Sequence, residues 1–145
     1  LLINLLTSSV SFAASNVPNT IQVTEWAQRV LTDSLTASYF DKVDDIKSVQ
    51  KYYSLAAWEP MNDFFNNELK IINQYKLSVH PMPLTKPMLS KDPNCEYKLC
   101  WRVNQKFKLP ELKMTIDFSL LISRIIQRNS EYYLIQSLNM NIQRY

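Results

Sequence analysis

An α+β fold, with three N-terminal helices packed on one face of a roughly four-stranded antiparallel sheet, is what the order of patterns in this chain predicts. Three observations carry it. Up to Tyr75 the apolar side chains recur every three or four residues, the period of a helix with one buried face. From Tyr97 onward apolar and polar residues alternate, the period of a strand with one wet face. The helical patterns all precede the strand patterns, the order of an α+β layout. The 145 residues suit one domain, and 46% hydrophobic content is enough for a packed core.

Residues 1–13 read as the apolar, then small-residue end of a secretory signal peptide. Ser11 and Ala13 fit a small-x-small cleavage pattern, leaving Ala14 first. The alternative is an uncleaved anchor, but the stretch is short and rich in Ser and Thr against the roughly 20 apolar residues of a span. Residues 14–22 are a polar lead-in, and residues 23–145 are the folded domain. Thr24 is the expected N-cap of the first helix, which should end near Ser38, with Trp26, Val30, Leu31 and Leu35 on one side. Phe40 should tuck beneath the helices. The second helix is expected from Asp44 or Asp45 to Tyr53. The third should start near Ala57 or Trp58, because Pro60 is tolerated in a first turn and costs about 3 kcal/mol in a helix interior. Its face is Met61, Phe65, Leu69 and Ile72, widened by Trp58 and Phe64.

Pro81 and Pro83 suit an edge strand. Tyr97, Leu99, Trp101 and Val103 then share one face of a strand, opposite Lys98, Arg102 and Asn104. Leu112, Met114, Ile116, Phe118, Leu120 and Ile122 form the clearest alternation in the chain. After a turn at Arg128 to Glu131, the last strand is expected to set Tyr132, Leu134, Leu138, Met140 and Ile142 on one face. The predicted structural core is Trp26, Phe40, Tyr53, Trp58, Phe65 and Trp101.

The chain has no glycine, which excludes phosphate-cradling glycine loops and the GxSxG elbow. Turns with positive φ are expected to use Asn or Asp. Charge divides unevenly. Residues 1–75 hold five basic and eight acidic side chains; residues 76–145 hold eleven and five. A basic sheet face either keeps the domain soluble or meets an acidic partner, and Lys98, Arg102, Lys106 and Lys113 are its candidate docking residues. Nucleic-acid binding is disfavoured, since Tyr133 is the one clear aromatic set among these charges.

Cys95 and Cys100 are the only cysteines. In an exported protein a disulfide between them is the leading reading, beside two unpaired thiols. Five extended residues span roughly 16 Å, too far for a disulfide. The segment between them must therefore bend, and the strand proper should begin near Cys100. With His80, the two cysteines make a poor zinc pattern. His80 itself reads as a structural strand residue. No catalytic, cofactor-binding or metal-ligating set stands out, and no enzymatic activity is expected.

Trp26-Ala27-Gln28 opening a helix, Tyr39-Phe40-Asp41, Tyr52-Tyr53, and Ala57-Trp58 followed by Phe64 resemble the IcmL/DotI family, components of the Dot/Icm type IVB secretion apparatus. Trp101-Arg102-Val103 and Leu109-Pro110 are similar to that family's single-Trp strand and following proline. The resemblance implies a VirB8-like, NTF2-like periplasmic domain that assembles by protein contacts without catalysis. The family's apparatus component carries a membrane-spanning helix before this domain. Here the start resembles a cleavable signal, so a stand-alone exported paralogue fits better.

The expected location is therefore the bacterial periplasm or the medium. The expected partners are proteins, among them secretion-system subunits or further copies of the chain, with membrane association only if the N-terminal segment stays uncleaved. The competing readings are an NTF2-like ligand-binding or catalytic protein using a cleft between helices and sheet, and a secreted effector.

Overall fold

In a computed structural model, the described residues are 20–38, 47–91, 95 and 99–145. The expectations for the signal segment, for Phe40 and for Lys98 fall outside them. In chain order the elements are α1 (Thr20–Leu35), β1 (Ala37–Ser38), a 3-10 turn (Lys47–Tyr52), α2 (Leu55–Tyr75), β2 (Ser78–Val79), β3 (Met82–Pro83), β4 (Met88–Lys91), β5 (Cys100–Leu109), β6 (Met114–Gln127) and β7 (Ser130–Arg144). The long strands are all antiparallel. β5 pairs with β6 on one side; on the other it pairs with β4 along its first half and β3 along its second. β7 completes the sheet beside β6.

Two α-helices, rather than three, are described. The stretch expected to be the second helix is a six-residue 3-10 segment among the described residues. Its sequence offers little apolar surface, with Val49 half-buried and Lys51 exposed, and short 3-10 pieces commonly serve as connectors. α1 starts earlier than Thr24. Its buried stripe is Val23, Ala27, Val30, Leu31, Ser34 and Leu35, which rotates Trp26 to the margin.

α2 also starts earlier, because Ser54 caps it. The Ala57 amide donates to the Ser54 hydroxyl at 3.1 Å. Pro60 consequently lies in the second turn and leaves the Ala56 carbonyl without its usual intrahelical donor. The far end closes at Lys76, whose backbone is left-handed, with the Leu77 amide donating to the Ile72 carbonyl. Positive φ in the described residues falls on Lys76, Lys113, Arg128 and Asn129, so three of the four are basic residues rather than the expected Asn or Asp. Arg128 and Asn129 together form the two-residue β6–β7 turn, with Gln127 paired to Ser130.

The core lies between the helices and one sheet face. Met61, Phe65 and Ile72 of α2 are at most 2% exposed, as are Val103, Phe107 and Leu109 of β5 and Ile116, Phe118 and Leu120 of β6. Each such side chain contributes roughly 1.5–3 kcal/mol by leaving water. Phe107 meets Phe118 edge-on at 5.8 Å across the β5–β6 pair. Gln105 is the one polar residue on the inward face of β5; its amide donates to Gln28 of α1 at 2.7 Å and to the Thr85 carbonyl at 3.0 Å.

β7 departs from the simple alternation. Leu121 pairs with Ser137 and Ile122 with Ile135, so Gln136 is an extra residue. This bulge inverts the faces. Leu138 and Met140 point to the core as expected, but before the bulge it is Tyr133 and Ile135, not Tyr132 and Leu134, that share that face. Ser54 grips the bulge directly, its amide donating to the Ile135 carbonyl and its hydroxyl to the Gln136 carbonyl, both at 2.8 Å. One residue thus starts α2 and fixes that helix to β7.

Candidate functional site

β6 continues past the end of α2 toward the hairpin turn, and its inward positions change from Ile122 to Arg124 to Ile126. There α1 and the 3-10 segment, not α2, form the opposite wall. Trp26 from α1 lies edge-on to Tyr52 at 6.0 Å and tilted against Tyr133 of β7 at 5.3 Å. Tyr133 in turn meets Trp101 at 6.4 Å. Between these rings and the hairpin is a pocket of about 490 Å³. Besides the aromatic side chains of Trp26, Tyr52, Tyr132 and Tyr133, it is lined by Lys51, Arg124 and Glu131.

The charges in this pocket are constrained. The Lys51 ammonium lies 5.1 Å from the centre of the Tyr52 ring, a cation–π distance. The Arg124 side chain is only 6% exposed, and its Nη2 pairs with the Glu131 carboxylate. Its Nη1 has no hydrogen-bond partner. Burial raises the Tyr133 hydroxyl above its ordinary pKa, with the nearby Arg124 charge opposing it. The Arg124 amide donates to the Leu99 carbonyl, next to Cys100. Cys100 is joined to Cys95 by a disulfide, with Cα atoms 6.1 Å apart, and β5 begins at Cys100. The disulfide is therefore anchored beside the strand that carries Arg124, through the Leu99 carbonyl and the pairing of Cys100 with Ser123.

The other sequence candidates lie apart from this pocket. Tyr53, Trp58, Phe65 and Trp101 are buried, with Trp58 centred 5.2 Å from Tyr53 and 6.4 Å from Phe65. Trp26 is only partly buried. Arg102 and Lys106 sit on the outer face of β5, where Arg102 donates to Ser119 and Lys106 pairs with Asp117 at 3.5 Å. Lys113 is not on that face but in the turn between β5 and β6. Of the described basic candidates, Arg102 and Lys106 share one face and Lys113 lies apart from them, with Lys106 partly neutralised by Asp117.

His80 is exposed. Its amide and its ring Nδ1 contact the Glu111 carboxylate at 3.3 and 3.0 Å. Burial alone would raise the Glu111 carboxyl, but its own amide and both His80 groups bring it below the ordinary value. This pair ties the loop after β2 to the β5–β6 connection. The Tyr53 hydroxyl, 2.7 Å from Ser34 Oγ, is pushed far up by burial and stays neutral. Glu68 of α2, 2% exposed, pairs with Arg144 of β7, a clamp that helical spacing does not reveal. Among the described residues no cluster of three metal-ligating side chains occurs, and no helix is long and apolar enough to cross a membrane.

No protein-family model matches the chain, and no curated protein matches it. Two solved structures share its fold. One is an IcmL-like type IV secretion system protein from Legionella pneumophila, with a TM-score of 0.68 and 17% identity over 87% of this chain and 94% of that one. The other is the periplasmic domain of DotI, with a TM-score of 0.71 and 16% identity over 88% of this chain and 98% of that one. The resemblance carried by the aromatic motifs is thus met by a shared helices-on-sheet architecture.

Proposed function

We propose that this chain is an exported, non-enzymatic interaction domain that works by docking to other proteins, as a stand-alone relative of the periplasmic part of a type IVB secretion component. The observation that carries this reading is the filled interior. Under α2 the stripe of Met61, Phe65 and Ile72 is closed onto Phe107 and Phe118, so the cleft that a helices-on-sheet enzyme would use is occupied by rings. The fold shared with the DotI periplasmic domain supports the extracytoplasmic setting, and the disulfide suits an oxidising compartment. Docking would use surfaces outside the core: the outer face of β5 with Arg102 and Lys106, the Lys98 and Lys113 regions, and the hairpin-end pocket.

The test is fractionation of the native cell with affinity capture of the tagged full chain. Recovery outside the cytoplasm, with co-purification of secretion-system subunits, is the expected result. Retention in the cytoplasm, or recovery as a free monomer in the medium, refutes it. A second reading, small-ligand binding, is favoured by one observation: about 490 Å³ with three charged side chains is the size and character of a ligand site.

A further inference from the structure

The feature that the core does not explain is Arg124. Its side chain is 6% exposed, with Nη2 committed to Glu131 and Nη1 without a partner, and it lines a pocket walled by rings. Leaving a buried donor unsatisfied is costly, and a charged donor more so. A carboxylate is the acceptor whose geometry suits an arginine fork. The fixed charges facing the pocket are Lys51 and Arg124 against Glu131, a net positive lining. Glu131 sits on the hairpin and is 51% exposed, so it can turn outward or share the guanidinium. The apolar surface does not stop at the pocket. Ile126, paired across the hairpin with Glu131 and on the same face as Arg124, is 64% exposed. That continuity extends the footprint beyond a small molecule and along a strand.

We propose that this pocket docks an acidic peptide segment of a partner protein, with an apolar side chain against the Trp26–Tyr52 wall and a carboxylate accepting from Arg124 and Lys51. The proposal rests on the docking function above and names the chemistry of the partner. Neighbouring apolar residues of the peptide would then run over Ile126.

A randomised hexapeptide display library panned on the full chain tests this, followed by the best sequence as an acetylated, amidated synthetic peptide. Binding is read from the indole N–H resonance of Trp26, assigned with Trp26→Phe. Enrichment of an acidic residue beside an aliphatic or aromatic one is expected, and the synthetic peptide should shift the Trp26 resonance. Arg124→Gln and Lys51→Glu should each weaken binding by about tenfold or more. Glu131→Gln should tighten it, because a competitor for the guanidinium is gone. If Arg124→Gln does not fold, the opposite signs of Lys51→Glu and Glu131→Gln decide alone.

Enrichment of neutral or basic sequences, or none, overturns the proposal. So does equal binding when Gln replaces the acid of the peptide. Phenylacetate alone matching the peptide would make this a small-molecule site. Concentration-dependent shifts of Trp26 without peptide would assign the surface to a second copy. Either result also overturns the proposal. Co-purification of secretion subunits that survives Arg124→Gln leaves the docking function standing while this site fails; peptide binding without any such subunits does the reverse.

Discussion

The crossing of α2 over the sheet and the end of the β6–β7 hairpin are built from the same kinds of side chain, yet one is sealed and the other open. At the crossing, Trp58, Phe64 and Phe65 pack on one another in a cluster with apolar strand residues, and the charge that α2 does bury, Glu68, is paired with Arg144 of β7. At the hairpin end, Trp26, Tyr52 and Tyr133 also stack, but the facing strand position is Arg124. A guanidinium cannot be covered by rings alone, so the layer there stops short of closure. Aromatic content does not distinguish core from recognition surface in this fold. The charge placed opposite the rings does.

Substitutions can sharpen that contrast. Trp58→Ala should have the largest effect, about 3–5 kcal/mol of lost stability in chemical denaturation, as for a buried large aromatic. A neutral outcome would mean the crossing is not the stabilising region. Replacing both Cys95 and Cys100 with Ser opens a loop with a sequence separation of 5, worth about 2 kcal/mol by loop entropy, and should broaden the Trp26 resonance as the strand that carries Arg124 loses this anchor. Trp26→Ala should cost about 1–2 kcal/mol, roughly the worth of two ring contacts at a half-open site. A loss equal to that of Trp58→Ala would erase the distinction between the two regions. Ser54→Ala removes a cap and the grip on the bulge, for about 1 kcal/mol. Hydrogen exchange at Ala57 should accelerate before global unfolding.

The sealed region is largely legible from sequence, because period alone places Met61, Phe65, Ile72 and the inward residues of β5 and β6. Alternation fails where local geometry breaks phase. Gln136 carries no sign that it is a bulge, so Tyr133 and Ile135 are assigned to the wrong face. Of the stretch expected to be the second helix, the described part, Lys47–Tyr52, is a 3-10 turn, where Val49 alone gives a helical face little to bury. The pocket is hardest to read. Trp26 and Arg124 are nearly a hundred residues apart, and each has an ordinary local explanation, as a helix core residue and as one of many surface cations. The one hint in the sequence is Tyr133, an aromatic set among basic residues.

A chain without glycine must make its corners from residues that carry a β-carbon. Lys76, Lys113 and Arg128 hold left-handed backbone at the end of α2 and at the tips of two strand connections, where each L-residue is about 1–2 kcal/mol worse off than glycine would be. Glycine at any of these positions should therefore raise the melting temperature. Lys76 and Lys113 lie away from the hairpin pocket, so glycine there takes up the slack without touching it, whereas Arg128 turns the hairpin itself.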